Sequence, residues 1–341
     1  MAWAWIAGLS LLGCHGAGAP RSVALAPDAA SEPPQIVDVR DAISPPVTVE
    51  PRPDAAQVVA PVVADAGVTD VGSVAGACPQ GRSLVWRLDF SHPGWNSGAA
   101  GVAAALQAAG GALDMVTGTE HVSVVADAEH GNALRVRFPP GSGSQDCVDL
   151  KQCSSAGGIV FFLPFPDGGA IKSAFLSYWV KFDPTFQWVR GGKLPGLCGH
   201  GCPIAGAKVG PDRFSLRYMW RKAGEGEVYS YLTYPPNSVY GLEMGTGSWT
   251  WSTDGAWHHI QEELVLNNGN ANDGLVRVWY DKPPTAPPDF EQKNLKYYDR
   301  TRFPELGIDT FVFTTFHGGH DRSWSPTVEA TAQFADFQLC R

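Results

Sequence analysis

Two neighbouring segments of the chain alternate between apolar and polar positions with a period of two. Because successive side chains of a strand point to opposite faces of a sheet, this period predicts two β-strands with distinct faces. In the first, residues 213–221, one face carries Phe214, Leu216, Tyr218 and Trp220 and the other carries Ser215, Arg217, Met219 and Arg221. In the second, Tyr229, Tyr231 and Thr233 oppose Val228, Ser230 and Leu232. If the two strands pair as a hairpin, Ser215, Arg217, Tyr229 and Tyr231 share one surface.

A glycine-rich run precedes this hairpin. Residues 191–199 read GGKLPGLCG and place Lys193 between glycines on a short extended stretch. We interpret the run and the hairpin together as the floor of a binding cleft. The ordinary alternative for a lysine beside glycines is a solvated turn residue, and Tyr at alternate positions is common in any strand.

The pattern of apolar and polar positions predicts twelve strands and one helix between residues 77 and 341. The strands are residues 83–90, 122–126, 133–138, 159–163, 174–182, 192–196, 214–221, 228–234, 257–266, 275–280, 310–316 and 330–339, and the helix is 99–109. Turn sequences rich in Asn and Gly separate several of them. We therefore expect an all-β domain over 77–341, a jelly-roll sandwich of two antiparallel sheets.

The N-terminal 76 residues differ sharply from this domain. Residues 1–14 are apolar and end in Leu-Leu-Gly-Cys, a pattern that resembles the bacterial lipoprotein signal in which Cys14 is lipidated. Plain secretion is the alternative. Residues 15–76 lack aromatic residues and show no periodicity, so we expect a disordered linker. The prediction is a lipoprotein of the bacterial cell envelope or a secreted protein, with membrane attachment only through the lipid.

Charge excludes one class of partner. The chain carries a formal net charge of −9, and the linker, with three basic and eight acidic residues, holds about five of these negative charges. The remaining domain is mildly acidic, which argues against a nucleic-acid-binding protein. We expect a monomer.

The cysteines indicate disulfides. Once Cys14 is assigned to lipid, six cysteines remain in a chain that leaves the cytoplasm, where disulfides form. The predicted pairs are Cys78 with Cys340, Cys147 with Cys153, and Cys198 with Cys202. Zinc is the competing interpretation of the last pair, but structural zinc needs four ligands and no second matching pair occurs. We therefore predict no metal site.

Several of these motifs resemble polysaccharide lyase family 14. They are SYWVKFD at 177–183, WVRGGKLPGL at 188–197, SLRYMW at 215–220, YSY at 229–231, FTTFHGGH at 313–320 and FADF at 334–337. The resemblance covers most of residues 80–341 and implies a β-jelly roll that cleaves uronic-acid polymers such as alginate or glucuronan. It places the family's functional residues on Lys193, Ser215, Arg217, Tyr229 and Tyr231. The chain departs from the family in its cysteines, in His317 and His320, and in an insertion at 142–155.

β-Elimination calls for these residue types. The proton on C5 of a uronate is weakly acidic because the neighbouring carboxylate is anionic, so the site must offset that charge. Arg217 can do so with paired hydrogen bonds and Lys193 can add a second positive charge, without a metal or other cofactor. Cations also favour the phenolate form of a nearby tyrosine. Tyr231 is then a candidate base, with Tyr231 or Tyr229 delivering a proton to O4, and the sequence leaves open which tyrosine is the base and which the acid. Ser215 can hold a carboxylate or hydroxyl, and His317 and His320 are candidates for substrate contact.

A non-catalytic, lectin-like carbohydrate-binding module is the alternative function. The segment around Trp257 and residues 274–281 also looks like concanavalin-type sandwich modules. A binding module does not need a base and an acid placed on the same face of the sheet. The presence of such a set therefore favours the enzyme; its members are Lys193, Arg217, Tyr229 and Tyr231. Glu262 and Glu263 suggest a glycosidase pair at first sight, but adjacent strand residues point to opposite faces.

Overall fold

The computed structural model describes residues 78–110, 116–165, 171–205, 207, 209–236 and 240–341. The predicted lipidation site Cys14, the signal at 1–14 and the linker at 15–76 lie outside the described residues. No helix within the described ranges is both long and apolar enough to cross a membrane.

The described chain is built mainly of β-strands. In chain order they are β1 (Leu84–Leu88), β2 (Val116–Thr117), β3 (Val122–Asp127), β4 (Gly131–Phe138), β5 (Ile159–Pro164), β6 (Ser173–Phe182), β7 (Gly191–Gly199), β8 (Phe214–Arg221), β9 (Gly226–Tyr231), β10 (Leu242–Met244), β11 (His258–Val265), β12 (Gly274–Tyr280), β13 (Phe290–Leu295), β14 (Thr310–His317) and β15 (Ala330–Cys340). Two α-helices, α1 (Gly98–Gly110) and α2 (Gln145–Asp149), accompany them. Short 3-10 turns occupy Pro93–Asn96, Thr119–His121, Lys222–Gly224 and Arg322–Trp324.

The strands form two antiparallel sheets. One sheet has the order β13-β12-β11-β6-β15-β4-β3, with β1 also paired to β15, and the other has the order β10-β9-β8-β7-β14-β5-β2. Between them lies a core dense in aromatic rings, in which Tyr178 stacks on Phe337 at 4.6 Å and Phe161 on Phe313 at 4.7 Å. Each fully buried ring of this kind stabilises the fold by about 1.5–3 kcal/mol. The predicted jelly-roll sandwich of two antiparallel sheets is confirmed.

All twelve predicted strands and the predicted helix are present. The strands that the sequence pattern missed, β2, β10 and β13, have two, three and six residues. The first two are too short for a period of two to be recognised. Helix α2 was also missed. It lies within the insertion at 142–155, and the hydroxyl of Ser144 caps it by accepting from the Cys147 N–H at 3.2 Å.

The three predicted disulfides are confirmed. Cys78 pairs with Cys340, Cys147 with Cys153, and Cys198 with Cys202. The first ties the start of the described chain to the end of β15, and the other two close loops beside β7 and α2. Among the described residues, no group of three or more His, Cys, Asp or Glu side chains is placed to hold a metal ion.

Candidate active site

The outward face of β7, β8 and β9 brings the predicted site residues together. Across β8 and β9, Ser215 lies opposite Tyr231 and Arg217 opposite Tyr229, and across β7 and β8, Lys193 lies opposite Met219. Directly opposed residues share a face. The inward face of β8 carries its four large apolar side chains into the core. The predicted hairpin, and the separation of its two faces, are therefore present in the fold.

The glycines around Lys193 allow β7 to approach β8 closely. A Cβ added to Gly196 would lie 2.1 Å from the Leu216 carbonyl oxygen, and one added to Gly192 would lie 2.0 Å from the Trp220 ring. The β7–β8 register shifts between Leu194 and Gly196, which leaves Pro195, a residue without an N–H to donate, as the extra residue of a bulge. Lys193 consequently projects from a strand held tightly against β8.

Lys193 lies half-buried on the cleft floor. Its Nζ is 2.6 Å from the Met219 sulfur and 3.3 Å from the centre of the Tyr229 ring. Burial lowers the pKa of Lys193 well below its usual value, and the charges of Arg217 and Arg221 lower it further. The protonated amine is therefore less favoured here than it is in water. The expectation that Lys193 adds a second positive charge to the site stays a prediction.

Arg217 is a buried cation on this face. It is 2% exposed, its Nη1 donates to the Thr314 hydroxyl at 3.4 Å, and its buried Nε has no hydrogen-bond partner. Among the described residues, no carboxylate lies within salt-bridge distance of it. Burial lowers its pKa, whereas the phenol groups of Tyr231 and Tyr229 favour its charge. Because arginine stays protonated in proteins, Arg217 presents an uncompensated positive charge to the cleft.

The two tyrosines have different surroundings. Their rings meet edge to face, 5.9 Å apart. The Tyr229 hydroxyl accepts the Gly241 N–H at 2.9 Å, and burial raises the pKa of Tyr229. Tyr229 therefore keeps its proton at ordinary pH and is suited to be a proton donor. Tyr231 is 1% exposed by residue area, yet it borders the cleft next to Arg217.

Ser215 belongs to the same face but lies deeper. It is fully buried, and its hydroxyl donates to the Pro203 carbonyl at 2.5 Å. In this position Ser215 holds the loop after β7 rather than lining the cleft. Its proposed contact with the substrate requires that this hydrogen bond be exchanged.

The structure separates the two histidines of the Gly-rich loop. His317 is the last residue of β14 and points into the core, where its Nε2 is 2.7 Å from the Gln187 carbonyl and its ring stacks on Phe186 at 5.3 Å. Burial lowers the pKa of His317 to about 4. The expectation that His317 contacts substrate is therefore corrected, since its strand position turns it away from the cleft. His320 does line the cleft, parallel to Tyr240 at 6.3 Å.

The cleft has a volume of about 630 Å³, within the usual range for small-molecule sites. Its floor is formed by Lys193, Arg217, Met219, Tyr229 and Tyr231. The walls contain Asp146, Asp149 and Leu150 of the α2 region, the side chains of Thr314, Phe316, His320 and Trp324, and, at the β10 side, Tyr240, Arg221 and Glu243.

The wall residues were mostly missed by the sequence analysis. Arg221 carried a usable signal, because it lies four residues after Arg217 on the same face of β8. Glu243 carried none, since it lies on the three-residue strand β10. Asp146 and Asp149 lie in the insertion at 142–155, which the sequence marked only as a departure from the family.

The comparisons with known proteins agree with this geometry. The polysaccharide lyase 14 alginate lyase from Aplysia kurodai matches with 23% identity and a TM-score of 0.63, over 75% of this chain and 98% of that chain. Alginate lyase Aly36B matches with 20% identity and a TM-score of 0.56, over 75% and 97%. An alginate lyase from Chlorella virus matches with 20% identity and a TM-score of 0.53, over 67% and 91%. These three likenesses show the fold.

A search of curated proteins gave no match. The family model described as polysaccharide lyase 14, in contrast, matches residues 126–337, which include every residue of the cleft floor. The chain therefore belongs to the polysaccharide lyase 14 family.

Proposed function

We propose that the protein cleaves a uronic-acid polysaccharide of the alginate or glucuronan class by β-elimination in this cleft. The observation that carries the proposal is the buried, uncompensated Arg217 charge next to an amine and two phenols on one sheet face. An anionic sugar is the ligand that such a charge would bind. The similar folds include alginate lyases, and a variant of one of them, Aly36B, has been solved in complex with an alginate trisaccharide.

Arg217 would bind the carboxylate of the reacting uronate. Its unpartnered Nε and its Nη groups supply donors for the two carboxylate oxygens. Neutralising the carboxylate makes the C5 proton more acidic, and the same contact stabilises the charge that develops when the proton leaves. Lys193 lies beside it with a lowered pKa. A bound carboxylate raises the pKa of Lys193 again and so favours its protonated form, which adds a second positive charge beside Arg217.

Proton transfer would fall to the tyrosines. Tyr231 borders the cleft within Coulombic reach of Arg217, so we assign it the C5 proton, which the phenolate form of its side chain accepts to become the phenol. Tyr229 retains its own proton because burial raises its pKa, which suits it to protonate the departing O4. The C4–O4 bond breaks, a C4–C5 double bond forms, and the electrons of the C5–H bond supply it.

The direct test is absorbance. Elimination leaves a double bond conjugated with the carboxylate, which absorbs near 235 nm, whereas hydrolysis does not. The protein is incubated with alginate, glucuronan and other polyuronates, and we expect a rise near 235 nm with at least one of them. Binding of these polymers without any such rise would instead support the lectin-like alternative, which the lyase family model does not favour.

We also infer a location from the sequence alone. The apolar run ending at Cys14 is typical of a lipoprotein signal. Cys14→Ser is expected to move the protein from the membrane fraction to the soluble fraction. Unchanged partition would refute the lipid anchor without bearing on the enzyme.

A further inference from the structure

Arg221, at the end of β8, is a second arginine that borders the cleft. It lies four residues after Arg217 on the same strand face, roughly 13 Å further along the strand. Its side chain is 15% exposed and borders the cleft. One of its terminal nitrogens contacts two carboxylates, that of Glu227 at 2.6 Å and that of Glu243. Arg221 therefore differs from Arg217 in being fully compensated in the free protein.

The two carboxylates are held very differently. Glu227 is completely buried on β9, and its second oxygen accepts the Thr246 hydroxyl at 2.6 Å. Glu243 is 57% exposed on β10, an edge strand of three residues, where it lies opposite Tyr229 and so faces the cleft. Moving Glu243 into water would cost little, because most of its side chain is already solvated. Moving Glu227 would leave a buried charge without a partner.

A polyuronate carries one carboxylate on every sugar. When one carboxylate lies on Arg217, the neighbouring sugars bring further carboxylates along the cleft. Near Arg221 such a group meets Glu243, which repels it while occupying the cation that would attract it. The bound chain must therefore avoid this end of the cleft or take the place of Glu243.

We propose that Arg221 is a second carboxylate-binding subsite, which Glu243 occupies in the free protein and vacates when a uronate binds. Glu227 stays in place and keeps the guanidinium oriented. Glu243 thereby makes this subsite prefer uronates to neutral sugars, since a sugar must carry a carboxylate to compete with Glu243 for Arg221. The inference rests on the proposed function and extends it from the reacting sugar to a neighbouring one.

The test measures binding and turnover in Glu243→Gln. Saturated alginate and glucuronan hexasaccharides are titrated calorimetrically at low salt into full-length protein that carries Tyr231→Phe, so that they are not cleaved, and KM and kcat are measured near 235 nm without that change. We expect Glu243→Gln to lower Kd and KM for the polyuronate that is cleaved by roughly fivefold or more, because a competing charge a few ångströms away is removed. We expect kcat to change little. The gain in affinity of Glu243→Gln over wild type should shrink in about 1 M salt, where charges are screened within about 3 Å.

Glu225→Gln is the matched control. Glu225 is exposed on the turn before β9 and does not line the cleft, so this variant removes the same charge without freeing Arg221. It should leave Kd and KM within about twofold of wild type. The gain from Glu243→Gln should also disappear in an Arg221→Met background, to which Glu227→Gln is added so that no buried carboxylate is left without its cation.

Two results would overturn the inference. One is an unchanged or weaker Kd in Glu243→Gln, which would make Glu243 a structural partner of Arg221. The other is an equal gain in Glu225→Gln, which would reduce the effect to net charge. Failure of the proposed function looks different. In that case the wild type gives no absorbance near 235 nm with any polyuronate, whereas Glu243→Gln still tightens hexasaccharide binding.

Discussion

Two ionisable side chains, Arg217 and Glu262, are both buried in this fold without an ion-pair partner among the described residues, yet they end in opposite states. Arg217 lies on the cleft face of β8 and keeps its charge. Glu262 lies between the sheets beside Tyr218, and burial raises its pKa to about 8. A carboxyl can neutralise itself by holding a proton, whereas a guanidinium cannot. Of these two buried groups, Arg217 is therefore the one that keeps its charge, and it borders a cleft of about 630 Å³ through which an anion can reach it.

Of the two buried groups, Arg217 should give the larger effect on activity when its charge is removed. Arg217→Met is expected to lower kcat/KM by about 10³, because both ground-state binding and stabilisation of the developing charge are lost. The free energy of unfolding should rise by about 1–3 kcal/mol, since an unpaired buried charge is removed. Turnover assays and urea unfolding check both. A variant that is less active and also less stable would show that Arg217 holds the fold rather than stores charge for the substrate.

Replacing Glu262, which lies between the sheets, should change the stability of the fold without changing catalysis. The pKa of Glu262 is raised from 4.5 to about 8 in the folded protein. The contribution of Glu262 to the free energy of unfolding is therefore fully present below pH 4.5 and is lost as the pH rises to 8. The loss amounts to at most about 5 kcal/mol. Glu262→Gln keeps the volume and should remove this part of the slope, as urea unfolding at pH 5 and pH 8 would show.

Glu263→Gln is the matched control for that experiment. Glu263 is the next residue, on the outer face of the sheet, where it pairs with Arg82 and with Arg277 at 2.8 Å. Its removal should cost about 1 kcal/mol or less and should leave the pH slope of stability unchanged. If Glu262→Gln and Glu263→Gln alter the pH dependence of the free energy of unfolding equally, that dependence does not come from the protonated state of Glu262.

A smaller effect distinguishes the possible roles of Lys193. Because burial lowers its pKa in the free protein, and because we assign it a charge-stabilising role, kcat/KM should fall as the pH rises through that lowered value. Lys193→Met should remove this falling limb and lower kcat/KM by about 10². A rising limb that disappears in Lys193→Met would instead make Lys193 the base and would leave Tyr231 a supporting role.

The smallest effect concerns metals. Arg217 and, with substrate bound, Lys193 supply the positive charge that the reaction requires, so a chelator should change turnover less than twofold. Complete loss of activity in a chelator, with the far-UV circular dichroism unchanged, would contradict the charge assignment.

The residues of the cleft floor were predictable because a strand has a fixed period. Once β8 and β9 were recognised, their alternation put Arg217 and Tyr231 on one face. His317 was misplaced because β14 runs one residue further than predicted, to His317 itself. The same period places His317 with Phe311 and Phe313 on the core side.

The wall of the cleft was not predictable in the same way. Glu243 reaches Arg221 only because β10 adds to the edge of the sheet, and Tyr240 meets His320 across more than 70 residues of chain. Such contacts depend on tertiary pairing and leave no local pattern.

Proton transfer by Tyr231 is central to the proposed mechanism. The most direct test is the rate near 235 nm for Tyr231→Phe compared with the affinity of this variant for the same polyuronate. The change keeps the ring and removes only the hydroxyl. We expect kcat to fall by about 10²–10⁴ while Kd stays within about tenfold of wild type. A kcat near that of the wild type would contradict the proposed mechanism, and loss of activity in Lys193→Met alone would then move the base to Lys193.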